Sequence, residues 1–499
     1  MNIRVFKKVA YKSGTHPYAR RIQGLTPISV VQRNWGLTTI FVPRVFIFAM
    51  LVLVAGCATK TTSFQRADVE IPPAFKETGD WKIADPKDSV PRGRWWVVFS
   101  DPALDPIAQQ IDISNQSLRE AEARYRASQS SLQAARAAGF PSVGGSASAN
   151  RSAQGSEQSS RYSLLANLGW EIDLWGRIRS GIEASEATRD ATAADLEALR
   201  LSTQATLVQN YFQLRVADAQ RRLLDDTVVG YKRSLQLVTN QYNVGLVARG
   251  DVIQADAQLR SAEAQAIDTG VARAQLEHAI ALLVGKPASA FSIPELPIEN
   301  KVPRIPPGIP SQLLERRPDV AAAERRMAAA NAQVGVARAA VFPALTLSAS
   351  AGLQSSTLGS LFSLPSRVWS IGPALAGAIF DAGLRRAQTE QAIANYDATV
   401  ASYRQTVLVA FQEVEDNLVA QRLLSDEADV QQLAVTSADQ SVQIALNQYR
   451  AGTASYLAVV TAQTAAYNNR RTALDILRRR LVASAALVKA LGGGWGPER

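Results

Sequence analysis

The chain has 499 residues, of which 47% are hydrophobic and 20% are charged. This length allows several domains, and the composition is that of a folded protein rather than a disordered one. The formal net charge of +10 would suit a nucleic-acid-binding protein, but residues 1–56 hold eight of the basic residues and no acidic ones. The remainder carries 46 basic and 44 acidic side chains, so nucleic-acid binding is disfavoured.

The chain contains one cysteine, Cys57, and two histidines, His16 and His278. A single cysteine cannot form an internal disulfide, and metal sites built on thiolates need several. His16 lies in the leader, and His278 stands alone in a helical pattern, where a packed or solvated side chain is the usual role. We therefore predict that the protein is not an enzyme and has no catalytic, cofactor or metal site.

Residues 45–56 form a twelve-residue apolar run that follows Arg44 and ends at Cys57. This run is too short to cross a bilayer as a helix, which needs roughly 20 residues. A basic flank, a short apolar run and small residues before a cleavage point are typical of a secretory signal peptide, which we assign to 1–56. The basic region is long for such a peptide, so we expect that translation starts downstream, at a valine such as Val30, Val31 or Val42 read from an alternative start codon.

Ala55-Gly56-Cys57 resembles the bacterial lipobox, in which the cysteine is lipidated and becomes the mature N-terminus. Val54 stands where leucine is usual, three positions before the cysteine. Ala58 stands where an aspartate would favour retention in the inner membrane. The resemblance implies a lipid on Cys57 and an outer-membrane location, and the alternative is an ordinary buried cysteine.

Residues 57–98 are rich in proline and tryptophan and are predicted to form an irregular tether that packs along the surface. Long helices follow. The segment from about 178 to 243 contains no proline, and its later apolar residues recur at intervals of four and three, which is the seam of a coiled coil. A second helix is predicted from about 247 to 285, before a proline-rich linker at 286–312.

After the linker the same series of elements starts again. AGFPSVGGSASA at 138–149 matches AVFPALTLSASA at 340–351, and QYNVGL at 241–246 matches QYRAGT at 448–453. We predict two structural repeats, each with a helix, two strands and two long helices. The predicted divisions of the chain are 1–56, 57–98, 99–285 (first repeat), 286–312, 313–491 (second repeat) and 492–499 (tail).

Each repeat contains two segments with the alternation of a half-buried strand. The clearest is VFPALTLSASAGL, where apolar residues from Leu345 onward alternate with small polar ones. We predict that 139–150 pairs with 162–173 and that 343–353 pairs with 367–380, through small polar loops. Strands of about ten residues can cross an outer membrane when tilted.

Four strands are too few for a membrane barrel, because the smallest barrels have about eight. A sheet edge cannot stay open in lipid, so several chains must contribute strands. Two chains would give eight strands and three would give twelve. The expected fold is mostly α with membrane β, and the alternative is a small soluble sheet capped by helices.

Several longer runs resemble the TolC-like outer-membrane factor family, in its lipoprotein branch that serves resistance–nodulation–division (RND) efflux systems. These runs are WEIDLWGRIR at 170–179, LLERRPDVAAAERRMAAANAQVGVARAAVFP at 313–343, IFDAG at 379–383 and ALGGGW at 490–495. The resemblance implies a homotrimer with a twelve-stranded β-barrel, continued by a long coiled-coil α-helical barrel in the periplasm. It places the linker and the C-terminal segment in an equatorial belt.

The function implied by the resemblance is a passive exit duct for drugs, metals or other small toxic compounds. An inner-membrane RND transporter would supply the energy, and a periplasmic membrane-fusion adaptor would join the two. One alternative is a type I protein-secretion duct, which the lipobox, the RRPD run at 316–319 and ALGGGW disfavour. The other is a lipid-anchored periplasmic coiled-coil scaffold without a pore.

The resemblance assigns adaptor docking to the two turns that join the long helices. A glycine in such a turn lets the chain reverse and leaves backbone exposed for a partner, although an ordinary turn without a partner would use glycine too. The predicted docking residues are Val244, Gly245 and Leu246 in the first repeat and Ala451, Gly452 and Thr453 in the second.

The resemblance also places a periplasmic gate just beyond these turns. Arg249 and Asp251 are candidates in the first repeat, although both also fit solvated charges at a helix start. Tyr449 and Tyr456 are candidates in the second repeat. Thr461 and Thr464 stand where the family often carries an aspartate and an arginine, which predicts a weaker lock or one supplied by the first repeat.

Overall fold

The computed structural model describes residues 93–298, 301–303, 305 and 316–493, which belong to the compact unit Thr59–Arg499. The predicted signal peptide, Cys57, most of the tether and the end of the tail lie outside the described residues. A short 3-10 helix at Trp95–Phe99 precedes the α-helices. These are α1 Leu104–Ser114, α2 Gln116–Ala137, α3 Arg177–Asn243, α4 Arg249–Leu283, α5 Pro318–Ala339, α6 Leu384–Arg450 and α7 Tyr456–Ala490.

Corresponding helices of the two repeats have equal lengths. Helices α3 and α6 have 67 residues each, α4 and α7 have 35 each, and α2 and α5 have 22 each. At about 1.5 Å per residue, α3 and α6 are each about 100 Å long. The structure therefore repeats the same helical plan, as the matching sequence runs predict.

The long helices pack side by side in a fixed order. Helix α4 packs on α3, α3 on α7, and α7 on α6, while α2 and α5 also pack on α3 and α5 packs on α6. No helix in the described ranges combines the length and the apolarity that a bilayer span would need.

Helix α4 ends against the start of α2, and Asn115 serves both ends. Its side-chain oxygen accepts a hydrogen bond from the backbone N–H of Leu118 at 2.9 Å, which caps α2. Its amide nitrogen donates to the carbonyl oxygen of Leu283 at 2.7 Å, in the last turn of α4. The first N–H groups and last C=O groups of a helix lack partners within it, so Asn115 joins the two helices end to end.

Arg317 makes the corresponding connection between α7 and α5 in the second repeat. Its buried guanidinium donates to the carbonyl oxygen of Ala490 at 3.2 Å, and to Asp319 and Glu413 at 2.6 Å each. Burial alone would lower the pKa of Arg317, but the hydrogen bond and charge of Asp319 raise it above its ordinary value. The RRPD run therefore ties the end of α7 to the start of α5 and to the middle of α6.

An aspartate before a glycine starts each of the two longest helices. The carboxylate of Asp173 accepts hydrogen bonds from the backbone N–H groups of Ile178 and Arg179 at 3.0 and 2.9 Å. Asp381 accepts one from Gly383 at 3.0 Å in the second repeat. Negative charge is favourable at a helix N-terminus, which gives the WEIDLWGRIR and IFDAG runs a physical role.

The four strands are β1 Ser142–Gln154, β2 Glu157–Ile172, β3 Ala344–Ser355 and β4 Arg367–Ala376. They form one antiparallel sheet in the order β1-β2-β3-β4, so both predicted pairs are confirmed and β2 joins them by pairing with β3. Within the described chain, β1 and β4 are the open edges of the sheet.

The register separates the sheet into an apolar and a polar face. Leu168 pairs with Ala349, which pairs with Ile371, and the side chains of directly paired residues lie on one face. The apolar face, as we call it below, carries Val143, Leu164, Leu168, Trp170, Leu345, Leu347, Leu353, Trp369 and Ile371. The polar face carries Ser146, Ser148, Ser163, Asn167, Ser348, Ser350 and Ser370, together with two apolar residues, Leu165 and Val368. Its hydroxyl pairs include Ser148–Ser163 at 2.7 Å and Ser350–Ser370 at 2.8 Å.

The first hairpin differs from the prediction in its turn. The strands continue through the segment that we predict to be a loop and meet at Gly155, whose φ is 63°. Serine and glutamine pairs extend the ladder there, including a hydroxyl contact of 2.9 Å between Ser152 and Ser159. A cross-strand pair of polar side chains that faces water is not destabilising. The change from apolar to polar residues therefore does not end the strands.

The end of the tether also differs from the prediction. Trp95 and Trp96 are buried rather than packed along the surface, and their indole N–H groups donate to Gln204 at 3.1 Å and Asp105 at 2.9 Å. They belong to the largest described hydrophobic core together with Phe99 and Tyr211. The folded unit therefore begins before residue 99.

A buried ionic cluster holds the first part of the linker against α3 and α4. Asp218 on α3 accepts hydrogen bonds from Arg215 at 3.2 Å and from Arg273 on α4 at 2.8 Å. The two arginines also donate to the carbonyl oxygens of Pro294 at 2.7 Å and Ile293 at 2.6 Å. Since charged groups are costly to bury without partners, these bonds fix the linker's path beside the helices.

Candidate functional site

The two helix–helix turns have the same length and backbone geometry. The first runs from the end of α3 to the start of α4, and the second from the end of α6 to the start of α7. Gly245 and Gly452 have φ values of 79° and 72°, a conformation that a side chain resists. Each glycine follows directly on the C-cap residue of its helix.

Two backbone hydrogen bonds close each turn. In the first, the N–H of Gly245 donates to Tyr242 and that of Leu246 donates to Gln241, both at 2.9 Å. In the second, Gly452 donates to Tyr449 at 3.0 Å and Thr453 to Gln448 at 2.9 Å. This pattern is the Schellman motif, which satisfies carbonyl groups at a helix end.

The two turn glycines have more open surroundings than the glycines that end α4 and α7. A Cβ atom added at Gly245 or Gly452 would meet no atom within 4 Å. Gly285 and Gly492 end α4 and α7 with the same left-handed conformation, but a Cβ there would overlap the backbone of Ser114 or lie 2.9 Å from that of Arg316. The turns thus present free backbone, whereas the other two ends are packed.

The two turns differ in surface chemistry. Val244 and Leu246 are 70% and 72% exposed, so the first turn presents two apolar side chains. In the second, Ala451 is small, and the hydroxyl of Thr453 donates to the carbonyl oxygen of Gln448 at 3.1 Å. One turn therefore offers apolar contacts to a partner, and the other offers mainly a compact polar surface.

Tyr449 and Tyr456 lie in a hydrophobic core just behind the turns. Their rings are 5.4 Å apart in an edge-to-face arrangement, and they pack with Val238 of α3 and Ala255 of α4. Both tyrosines are buried. Since they hold four helix ends together, they can influence a gate only through packing within the chain and not as groups exposed to a pore.

Asp251 lies in the first turn of α4, where its charge contributes to the raised pKa values of Tyr449 and Tyr456. Burial first, and then the nearby Tyr449, Tyr231 and Asp251, together raise the pKa of the Tyr456 hydroxyl to about 12. Burial and then the charge of Asp251 also raise the pKa of Tyr449, so both hydroxyls are neutral at pH 7. Arg249, by contrast, is exposed at the start of α4.

The structure therefore brings three of the four predicted gate residues together and leaves Arg249 on the surface. The gate role stays a prediction. Sequence reasoning missed Asn115 and the buried Arg215–Asp218 pair, which hold the helices and linker in place. A charged i, i+3 pair inside an apolar stretch was the available signal for Arg215 and Asp218.

No group of three or more histidine, cysteine, aspartate or glutamate side chains that could hold a metal ion occurs among the residues that the structure describes. The described features are instead structural: an open-edged sheet with one apolar face, paired helices about 100 Å long, and two exposed turns. This combination is that of a membrane-channel subunit with a long helical extension.

Comparison with known proteins gives the family. The sequence model of the outer membrane efflux protein family matches residues 107–286 and 309–493, which is more than half of the chain. The chain belongs to this family.

Two relatives and one solved structure show the extent of the similarity. The cation efflux system protein CusC of Escherichia coli O6:H1 is 29% identical over 455 residues, which cover 90% of this chain and 98% of the relative. Outer membrane protein OprJ of Pseudomonas aeruginosa is 32% identical over 416 residues, covering 81% and 87%. A solved structure of CusC has a TM-score of 0.79 and 27% identity, covering 87% of this chain and 99% of that one.

Proposed function

We propose that the chain forms the outer-membrane duct of a tripartite efflux system and works as a homotrimer. The observation that carries this proposal is the sheet, which has an apolar face, a polar face and two open edges. Lipid can cover the apolar face, but no open edge is tolerated in lipid, so strands of other copies must complete the sheet.

Three copies suit a duct better than two. Eight strands enclose an interior that side chains nearly fill, whereas twelve strands leave more room. The polar face supports a water-filled interior, because its central positions hold small uncharged side chains such as Ser148, Ser348 and Ser350. Such a wall makes few selective contacts, so the pump rather than the duct would select the compounds.

The helices at the two ends of the packing order also support an assembly of several copies. Helices α4 and α6 lie at the two ends of the packing order, and each exposes large apolar side chains. These include Ile253 and Ile267 on α4 and Val430 and Leu433 on α6. Contact between α4 of one copy and α6 of the next would bury them and would continue the barrel as a helical tube.

The proposed cargo is drugs, metals or other small toxic compounds. The relatives named for cation efflux support metals, and those named for antibiotic and toluene efflux support organic compounds. The duct would make and break no bonds and would need no cofactor. Energy would come from an inner-membrane RND transporter, which a periplasmic membrane-fusion adaptor would join to this chain.

The adaptor would dock on the two turns. Their exposed glycine backbones and the apolar Val244 and Leu246 support this role. Opening would require the helix ends to separate, and the packed Tyr449–Tyr456 core behind the turns would resist that movement. A lock made of packing, with Arg249 on the surface, would be weaker than an ionic one.

A covalent lipid on Cys57 would anchor the chain to the outer membrane. The lipobox resemblance supports this proposal. Radiolabelled palmitate should enter the wild-type protein and should not enter Cys57→Ser. Incorporation into the variant would show that the lipid is attached elsewhere, whatever the state of the barrel.

The alternatives make different predictions for assembly. A periplasmic scaffold without a pore would have no use for an apolar sheet face, and relatives named as efflux proteins disfavour a type I secretion duct. Chemical cross-linking of isolated outer membranes should give a ladder that ends at the trimer. A ladder that ends at the dimer, or a monomer released by mild washing, would contradict the trimeric duct.

A further inference from the structure

The loop between β3 and β4, residues 356–366, is the largest exposed apolar feature at the outer end of the sheet. Leu358, Phe362 and Leu364 are 63%, 77% and 70% exposed. The sequence prediction of a small polar loop is wrong here, because three large apolar side chains of the loop are exposed, whereas Leu361 and Ser366 are buried. The β1–β2 turn at Gly155 carries no such group.

A hydroxyl network holds this loop in one conformation. The Ser360 hydroxyl contacts those of Ser355 and Thr357 at 2.6 Å each. The carbonyl oxygen of Ser360 accepts hydrogen bonds from Ser363 at 2.6 Å and Ser366 at 2.7 Å. Since the polar groups of the loop are used internally, the exposed apolar groups are not a by-product of a loose chain.

The loop leans toward the apolar face of the sheet. Ser355 is the last residue of β3 and pairs with Tyr162, which places its side chain on the same face as Leu353 and Trp369. Its hydroxyl contacts Ser360, so the body of the loop sits on that side.

The neighbouring residues on this face have the character of a membrane interface. Tyr162 and Trp369 are the outermost aromatic side chains on it, and aromatic residues concentrate where bilayer and water meet. Arg367, the first residue of β4, pairs with Leu353 on the same face and lies beyond Trp369, next to the loop that carries Leu358, Phe362 and Leu364. Aromatic side chains, one arginine and an apolar loop therefore follow one another at this end of the face, a mixture that suits the boundary of headgroups and acyl chains.

We propose that the β3–β4 loop is a lipid-interface anchor, which places Leu358, Phe362 and Leu364 at the boundary of headgroups and acyl chains in the outer leaflet. It rests on the proposed function, because it needs the sheet to be in the membrane. Burial of these side chains in lipid would oppose movement of the β3–β4 pair along the membrane normal.

Lipid quenching in vesicles tests this proposal. Single cysteines would be introduced as Phe362→Cys or Leu364→Cys in a Cys57→Ser background, labelled with a fluorophore and reconstituted into phosphatidylcholine vesicles. We expect nitroxide lipids labelled near the headgroup to quench these probes more than lipids labelled near the chain end. Ser356→Cys, in the same loop but next to the polar side, should be quenched by aqueous iodide instead.

Two reference positions separate failure of this proposal from failure of the proposed function. A probe at Leu347→Cys should be quenched most by the deep nitroxide, and one at Ser348→Cys by iodide only. Suppose that Leu347→Cys behaves in this way but Phe362→Cys is quenched by iodide alone, or by neither quencher because it lies in a contact between copies. The proposal of a lipid-interface anchor is then wrong, while the proposed barrel is still supported. If Leu347→Cys shows no lipid quenching, the proposed function itself fails.

Discussion

Gly245 and Gly452 combine a strained backbone conformation with empty space. The left-handed conformation resists a side chain by roughly 1 kcal/mol, but no neighbouring atom would collide with one. Substitution at either glycine should therefore change the surface of the turn without unfolding the helices. This separation makes the two positions suitable for testing the docking role.

We predict that Gly245→Asp and Gly452→Asp insert into the outer membrane at normal levels and conduct ions, yet fail to support efflux in cells. The added carboxylate would meet the incoming adaptor but nothing in this chain. Protein level in outer-membrane fractions and export of a pump substrate are the two measurements. Normal export would show that docking uses another surface.

Gly285→Asp is the matched control. It has the same helix-end conformation, but its side chain would overlap the carbonyl oxygen of Ser114. We expect this variant to lose folded protein, so that efflux and membrane level fall together. If Gly245→Asp behaves like Gly285→Asp, the turn is not free and the efflux result says nothing about docking.

The sequence was sufficient to find these turn glycines, because the QYNVGL and QYRAGT runs match across the repeats. It was not sufficient to orient Tyr449 and Tyr456, which the resemblance assigned to a gate. Whether a helical side chain points toward neighbouring helices or a pore depends on which helices flank it. That information is tertiary, and the buried core with Val238 and Ala255 supplies it.

At the scale of elements, the joints between helices are specific. Asn115 caps α2 through its oxygen and holds the end of α4 through its nitrogen. Helix α4, with 35 residues, and helix α2, with 22, are thereby joined end to end, and both pack along the 67-residue α3. Arg317 does the same between α7 and α5 with a charged group.

We predict that Asn115→Ala and Asn115→Asp affect the joint differently. Loss of a side-chain cap costs about 0.5–2 kcal/mol, so Asn115→Ala should speed hydrogen exchange at the first turn of α2. Asn115→Asp keeps the acceptor for Leu118 but loses the donor to Leu283. It should leave the start of α2 protected and speed exchange in the last turn of α4. Full protection of that turn in both variants would mean that other contacts hold the joint.

Arginine substitutions should have different effects on the two faces of the sheet. Leu347→Arg and Leu168→Arg should reduce trimer yield strongly, because an arginine facing lipid at the midplane costs about 2–4 kcal/mol. Ser348→Arg should be tolerated, since its cross-strand neighbours are Gly169 and Gly372 and its face is polar. Asn167→Arg is the second control. Heat-resistant trimer in detergent extracts is the measurement, and equal yields for both pairs would overturn the face assignment.

The alternating pattern predicted the strands and their faces but not their ends. A strand that leaves the membrane meets water, where serine and glutamine pairs are as acceptable as apolar ones, so hydropathy does not mark the turn at Gly155. The prediction for the β3–β4 loop was wrong for a related reason. Its serines suggested a polar loop, but several of them hydrogen-bond within the loop, and Leu358, Phe362 and Leu364 are exposed.

Taken over all of its described residues, the chain leaves backbone edges and apolar side chains uncovered. Its sheet has two open edges, and its outermost helices expose apolar side chains that no described residue covers. The family match confirms the prediction of an outer-membrane efflux protein, which rested on four long sequence runs. The number of copies, the adaptor and the cargo depend on surfaces between chains, which one sequence does not encode in any local pattern.

If copies of this chain enclose a passive duct, single-channel recording in planar bilayers should detect it. Protein purified from outer membranes should insert and conduct ions in steady steps, with no nucleotide or partner present. The conductance should disappear when heat dissociates the trimer. Trimers that insert but never conduct, both as wild type and with Tyr456→Ala, which would loosen the packed lock behind the turns, would show that there is no duct and would favour a scaffold without a pore.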